Sequence, residues 1–353
     1  MLYATDPFTL RLKGYFRKAL FKKKKFPGSK YILPKKNANH IRIEICGTCN
    51  AKCLFCHSGK VPFNKERIIS PELFENILLH LKEINLLTKS VYLYDRGEPF
   101  MHKEIGKILD TCRKHQVNAW ISTNASKVPN LTPSQWKIIK MLKISMSGIT
   151  EESYKLMYGF NVHHIRKNVE KIARNTSATS DLKVNWLKYE FNKEEEQRAK
   201  NWFESLGITF KPKIANLIQI EKLLDLYEDK LPENEMNEIN NYLLLDEKKN
   251  MSLKEAIFDK KNLSTRVNVD RFVCYQWDHM IIHDDGELLK CCSISPDHPE
   301  NRLGNILDYK TAEEIRRKKY EMTNICNKCI NFGLAKAANK KSSEIWIDSR
   351  FKI

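Results

Sequence analysis

No stretch of this 353-residue chain approaches the ~18 to 20 consecutive apolar residues that a membrane span requires, which excludes helical spans. The N-terminus has basic residues but neither an apolar core nor a small-residue cleavage site, so no secretory signal is expected. Ten cysteines without an export signal then read as thiols kept reduced for metal, not as a disulfide framework, and the expected compartment is the cytoplasm. Internal repeats are absent. Acid is scarce at one end: the first forty residues hold eleven Lys or Arg and a single carboxylate, Asp6. No recognition motif accompanies that charge, so a nucleic-acid partner is not expected.

The basic segment does hold an apolar pattern. Phe8, Leu12, Tyr15, Phe16, Leu20 and Phe21 recur at near-helical spacing ahead of the run Lys22 to Lys25. Two readings stand. One is an amphipathic helix lying on an anionic membrane surface or an acidic partner. The other is a helix that packs its stripe on the main domain and leaves a solvated basic face. A basic surface also attracts phosphorylated substrates.

Beyond the first forty residues, strand-like and helix-like patterns alternate. Strands are read at Ile41 to Ile45, Val91 to Tyr94, Ala119 to Ser122, Ile144 to Ser147, Leu182 to Tyr189 and Ile208 to Lys211. Ser70-Pro71 and Thr132-Pro133 read as helix starts, with a capping residue followed by proline at the first position. Asn192-Lys193-Glu194-Glu195 reads as a capping box. Six strands alternating with helices predict an α/β fold with a parallel sheet and right-handed crossovers.

The first strand runs into Cys49-Asn50-Ala51-Lys52-Cys53-Leu54-Phe55-Cys56, a C-x3-C-x2-C spacing. Three thiolates on one loop can hold three irons of a [4Fe-4S] cluster and leave the fourth iron open for chemistry. The alternative is zinc, with Cys46 as a fourth ligand. The spacing resembles the signature of the radical S-adenosylmethionine (radical SAM) enzymes, in which S-adenosylmethionine chelates the open iron and is cleaved by one electron. That resemblance implies a partial (β/α)6 TIM-like barrel with its active site at the C-terminal ends of the strands. Phe55 fits the family's aromatic slot before the third cysteine. Gly97, Glu98 and Pro99, after the second strand, match the family's G-E-P, which receives the amino group of S-adenosylmethionine. Arg96 stands where a first glycine is more common and is expected to place a cation near the substrate. The resemblance further implies cofactor contacts from Thr123 and Asn124, from Ser147 and from Asn192. Turn formation and helix capping are the plainer roles for Thr123, Asn124 and Asn192.

A second signal lies downstream. Cys274, a hairpin with Asp-Gly at its turn, Cys291-Cys292, and Cys326-x2-Cys329 follow one another. They resemble the SPASM/twitch extension of radical SAM enzymes, without the C-x5-C-x3-C tail of the full SPASM form. The resemblance implies an auxiliary [4Fe-4S] cluster on Cys274, Cys291, Cys326 and Cys329, with tetrahedral zinc as the alternative. Cys46, Cys112 and Cys292 are left over. Buried free cysteines are usually small hydrophobes, but Cys292 follows a cluster ligand and is the candidate hydrogen-atom donor.

The expected organisation is a basic N-terminal segment (1–40), the radical SAM partial barrel (41–217), a helical linker (218–269), a small α+β SPASM/twitch module (270–335) and a tail (336–353). The expected activity is hydrogen abstraction from a sugar, cyclitol or phosphorylated metabolite, ending in oxidation (dehydrogenation) or epimerisation. A reducing protein such as flavodoxin or ferredoxin would supply electrons. Two other functions are kept open: maturation of a peptide substrate by epimerisation or cross-linking, and a non-catalytic iron-sulfur carrier or zinc-stabilised binding protein.

Overall fold

Helices that return the chain to the same end of a sheet make each strand parallel to the last. In the computed structural model six strands obey this rule: β1 (His40–Ile43), β2 (Ser90–Tyr92), β3 (Asn118–Thr123), β4 (Ile139–Ser145), β5 (Asp181–Lys188) and β6 (Thr209–Ile214). They pair in sequence order and every pair is parallel. The description covers residues 40–176, 180–217, 219–244, 274–331 and 334, all within one unit, Lys35–Ile353. The expected basic helix of residues 1–39, the linker from 245 to 273 and the tail 336–353 lie outside the described residues.

Local chemistry sets the helices. Helix α1 (Pro71–Glu83) starts where Ser70 accepts a hydrogen bond from the Leu73 amide and proline occupies the first position. It buries Phe74, Ile77, Leu78 and Leu81, each contributing about 1.5–3 kcal/mol. Next come α2 (Ile105–Lys114) and α3 (Pro133–Trp136), the latter opened by a full capping box between Thr132 and Gln135. Then follow α4 (Glu151–Tyr158), α5 (Val162–Asn175) and α6 (Glu196–Ser205). Under this layer the strands bury Ile41, Ile43, Val91, Ile121, Ile144 and Trp186 completely. Alternate residues face the other, inner side and are half-buried: Arg42, Tyr92, Trp120, Lys143 and Lys183.

Two local expectations change. Helix α3 lasts one turn, and β4 begins at Ile139 rather than Ile144, because the apolar run from Ile139 pairs with β3. The Asn192–Glu195 stretch is not a helix cap. It lies in a 3-10 turn, Glu190–Glu195, that precedes α6, and Asn192 points inward.

After α7 (Ile220–Tyr227) and α8 (Glu233–Tyr242), the chain returns at β7 (His279–Ile282). This strand lies beside β1 and parallel to it, with Ile41 opposite Met280 and Ile43 opposite Ile282. The expected hairpin follows, with Gly286 at φ +84° in its turn. It leads to β8 (Glu287–Leu289) and then to β9 (Arg302–Asn305), both antiparallel additions. The sheet therefore has nine strands in the order β6-β5-β4-β3-β2-β1-β7-β8-β9. The strands after residue 270 extend the barrel sheet and do not form a sheet of their own. Strand β9 was not expected. Helices α9 (Ala312–Tyr320) and α10 (Asn324–Asn331) close the described chain. No helix among the described residues is long and apolar enough to cross a membrane.

Candidate metal centres and the polar frame between them

The cysteine loop leaves β1 and packs under the loop that follows β2. The Glu98 amide donates to the Thr48 carbonyl at 2.9 Å. Gly97 sits so close that a Cβ would lie 1.7 Å from the Cys46 carbonyl oxygen, so only glycine fits. Cys49, Cys53 and Cys56 lie within reach of one another's charge. Burial, then the Glu98 carboxylate, pushes the Cys49 thiol up to about 12. Burial holds Cys53 well above its ordinary value. Thiols placed like this lose their protons when a metal takes the proton's place. Cys46 does not join them. Its thiol donates to the Thr48 carbonyl at 3.4 Å, and burial pushes it up to about 12. The donor set is three sulfurs without this fourth, which fits a cluster with an open iron better than four-coordinate zinc.

Around the trio, several expected residues converge. Glu98 is buried, and its carboxylate accepts from Thr123 Oγ1 at 2.6 Å, the Asn124 amide at 2.6 Å and the Phe100 amide at 3.0 Å. Burial still raises it to about 7 against these bonds. Pro99 opens the 3-10 turn that supplies the Phe100 amide. Asn124 donates from Nδ2 to Cys49 Sγ at 3.6 Å and to Asn50 Oδ1 at 3.1 Å. Phe55 turns the loop at φ +60° and stacks on Tyr189, with ring centroids 6.2 Å apart.

Ser147 and Asn192 form a separate buried pair. Asn192 donates to the Ser147 and Leu187 carbonyls and accepts from the Tyr189 amide, so its amide is fully used in bracing the chain after β5. Ser147 Oγ accepts from the Leu187 amide at 2.9 Å and the Tyr158 hydroxyl at 3.3 Å, which leaves its own O–H to donate.

Sequence reasoning missed the frame that fixes the G-E-P loop. Glu44 Oε1 accepts from the Arg96 and Gly97 amides at 2.7 and 2.8 Å. Its other oxygen lies 3.1 Å from His283 Nε2, while His283 Nδ1 lies 2.7 Å from Asp284. Burial raises Glu44 to about 7, with the His283 charge opposing. Burial opposes His283's charge, but hydrogen bonds to Asp284 and Asp285 carry it up to about 9. Glu44, His283 and Asp284 have the spacing of a metal site. However, the Arg67 guanidinium bonds Asp284 at 3.2 Å and touches the His283 ring, supplying the positive charge itself. The one sequence hint is the pair of charges, Arg42 and Glu44, that alternate with isoleucine in the Ile41 to Ile45 strand.

Arg96 does not serve as a free cation. Its guanidinium donates to the carbonyls of Cys292 and Ile294, the latter at 2.8 Å, and ties the C-terminal module to the barrel. A depression of about 370 Å³, open to solvent, lies at this seam between Cys49, Arg96, His283 and Asp297.

In the module the hairpin and α10 bring Cys274, Cys291, Cys326 and Cys329 within reach of one another's charge. Burial pushes Cys274 up to about 11 and Cys329 higher. The Cys291 amide donates to Asn301 Oδ1 at 2.8 Å, and Asn301 is wholly buried. Cys291, Cys326 and Cys329 share an apolar pocket with Ile220 and Leu224 of α7. Cys292 hydrogen-bonds Cys291, which lowers its pKa, and Arg42 and Arg96 act in the same direction. Cys112 is buried in α2, remote from these groups.

No family model matches the chain. It is similar to a probable GTP 3',8-cyclase of Pyrococcus horikoshii, 27% identical over 138 residues, which is 38% of this chain and 43% of that protein. The chain therefore matches less than half the length of that relative. Among solved structures it is similar to Streptococcus suis SuiB bound to S-adenosylmethionine, with a TM-score of 0.52 at 14% identity over 88% of this chain and 71% of the other. It is also similar to SuiB bound to the precursor peptide SuiA, with a TM-score of 0.51 at 15% identity over 94% and 75%. The chain shares the fold of these S-adenosylmethionine-binding structures, and its three-cysteine loop has the spacing seen in radical SAM enzymes. Its C-terminal hairpin and C-x2-C pair resemble the SPASM/twitch layout.

Proposed function

We propose that this chain is a radical SAM enzyme. Cys49, Cys53 and Cys56 would hold a [4Fe-4S] cluster, with S-adenosyl-L-methionine bound against Gly97, Glu98, Pro99, Thr123, Asn124 and Ser147. The observation that carries the reading is the placement of the three-cysteine loop, with Cys49 and Cys53 desolvated and Cys46 bonded to the Thr48 carbonyl instead, beside the buried Glu98 network. When bound, such a pair supplies one-electron cleavage and hydrogen-atom abstraction from unactivated carbon. Among the described residues Glu98 Oε2 accepts only from the Asn124 amide, so it retains acceptor capacity for an amino group. Asn124 stabilises negative charge on Cys49 through its N–H···S bond. The Ser147 hydroxyl is available to donate to a carboxylate.

The inner face of the barrel supports an anionic small molecule, such as a sugar or cyclitol phosphate, as substrate. Arg42, Lys143 and Lys183 gather there, and Lys143 is lowered by burial and then by Lys183 and Arg42. Asp95 balances Arg42 and Asp181 balances Lys183, while Lys143 donates to the Tyr94 hydroxyl at 3.1 Å. Cys274, Cys291, Cys326 and Cys329 would hold an auxiliary [4Fe-4S] cluster that takes an electron in a dehydrogenation. In an epimerisation, Cys292 would return the hydrogen atom. Flavodoxin or ferredoxin is the expected type of reductant.

The test is anaerobic reconstitution followed by S-adenosylmethionine and a strong reductant, with 5'-deoxyadenosine as the readout. Product from the natural chain, and none from a Cys49/Cys53/Cys56→Ala chain, supports the reading. Absence of product from protein that contains its clusters, with anionic sugars supplied, contradicts it. Deuterium transfer from labelled sugar phosphates or from peptides then decides the substrate class.

A further inference from the structure

Two lysines are buried beside the C-terminal cysteines. Lys290, just after β8, has no exposed surface, and Lys319 on α9 is 3% exposed. They interlock. Lys290 Nζ donates to the carbonyls of Lys318 and Lys319 at 3.2 and 3.0 Å. Lys319 Nζ donates to the carbonyls of Leu289 and Lys290 at 3.0 and 2.6 Å. Two like charges side by side in an interior are costly, and methionine would fill the same space without four carbonyl partners. The carboxylate that reaches Lys290 is Glu321, which is exposed and paired with Lys318. The groups that can bring opposite charge to the pair from within are cysteines, once a metal has displaced their protons: Cys274, Cys291 and Cys326 around Lys290, and Cys274, Cys291 and Cys292 around Lys319.

We infer that Lys290 and Lys319 are the built-in counter-charge of the four-cysteine centre and set its reduction potential. The inference rests on the reading of that centre as an iron-sulfur cluster. Four thiolates around a [4Fe-4S]2+ core carry a net charge of −2, which two ammonium groups offset. One-electron reduction takes the centre to −3, and fixed positive charge nearby favours the reduced form. The Asn301 side chain and the Lys290 to Cys291 backbone hold this charge next to the ligands instead of leaving it to solvent.

The experiment uses the full chain, reconstituted anaerobically. Metal analysis of the Cys49/Cys53/Cys56→Ala chain comes first. About four irons per chain support the cluster reading, while zinc in their place overturns both that reading and this inference. With iron present, redox titration followed by electron paramagnetic resonance compares Lys290→Met and Lys319→Met with the natural chain. The expected result is a lower midpoint, with at least a tenfold fall in the ratio of reduced to oxidised centre at the natural midpoint, about 59 mV for one electron. Lys319→Arg keeps the midpoint. An unchanged midpoint in iron-loaded Lys319→Met overturns the inference and leaves the cluster reading standing. If Lys319→Met fails to load iron while Lys319→Arg loads it, the charge is needed for assembly, which supports the inference. Failure of both assigns the residue to packing and overturns it.

Discussion

Replacing Gly97 by alanine perturbs the contact on which the proposed site depends. The added methyl would lie 1.7 Å from the Cys46 carbonyl oxygen and 2.7 Å from that of Thr48. An ordinary C···O contact is about 3.3 Å, so the two loops must part by roughly 1.5 Å. Three buried hydrogen bonds hold the G-E-P loop: Glu98 amide to Thr48 at 2.9 Å, and the Gly97 and Arg96 amides to Glu44 at 2.8 and 2.7 Å. Breaking them leaves buried groups unpaired at about 1–3 kcal/mol each, so a stability loss of about 3–9 kcal/mol is expected. A shift near 1 Å between reacting groups also costs about 100-fold in rate. The assay is 5'-deoxyadenosine formed per cluster, read beside iron content and thermal unfolding. The expected result is a fall of at least about 100-fold with a lower melting temperature. Product within threefold of the natural chain and an unchanged melting temperature would refute the argument that these loops must touch.

Three further outcomes are expected. His283 is raised from 6.5 to about 9 in the fold, so its contribution is complete below pH 6.5 and is lost as pH rises through 9. Urea unfolding of the holoprotein should therefore show the stability advantage over His283→Gln shrinking by about 3 kcal/mol from pH 6.5 to 9.5, and a flat difference would contradict this. Arg96→Ala removes the donor shared by Cys292 and Ile294 and should cost about 1.5–3 kcal/mol per bond, read as faster proteolysis of the module and loss of about half the iron. Equal protease resistance would count against the clamp. Cys292→Ala should still yield 5'-deoxyadenosine while losing at least about 100-fold in substrate turnover if the thiol returns the hydrogen; turnover at the natural rate removes that role.

The barrel was legible in the sequence because most strands carry a local apolar run and helices such as those after Ser70 and Thr132 open on a capping residue. All six parallel strands appear in the expected order. The cysteine loop, Glu98, Thr123 and Asn124 were also legible, since short motifs place them on adjacent strand ends. What escaped depends on pairing across long separations. Nothing in His279–Ile282 says that it will lie beside β1, some 240 positions earlier. Glu44, Arg67, His283 and Asp284 come from three distant segments, and beyond the charge of Glu44 inside a strand none carries a local signal of the frame. The partners of Arg96 escaped for the same reason: they are backbone carbonyls that no side-chain pattern announces. Asn192 reads as a cap by composition, yet the 3-10 turn swings it inward to Ser147.

The adjacency of β7 and β1 also bears on where this chain can be divided. Four residue pairs, His40 to Ile43 against His279 to Ile282, close the edge of the first strand. A fragment ending before β7 would keep all six parallel strands yet expose the row of amides and carbonyls that β7 now satisfies. Such a bare edge invites a neighbouring molecule to complete it. The C-terminal cysteines are therefore not an appendage that can be trimmed to obtain a simpler barrel. Cys274 and Cys291 flank the strands that finish the first one, and the two candidate metal centres are parts of a single fabric.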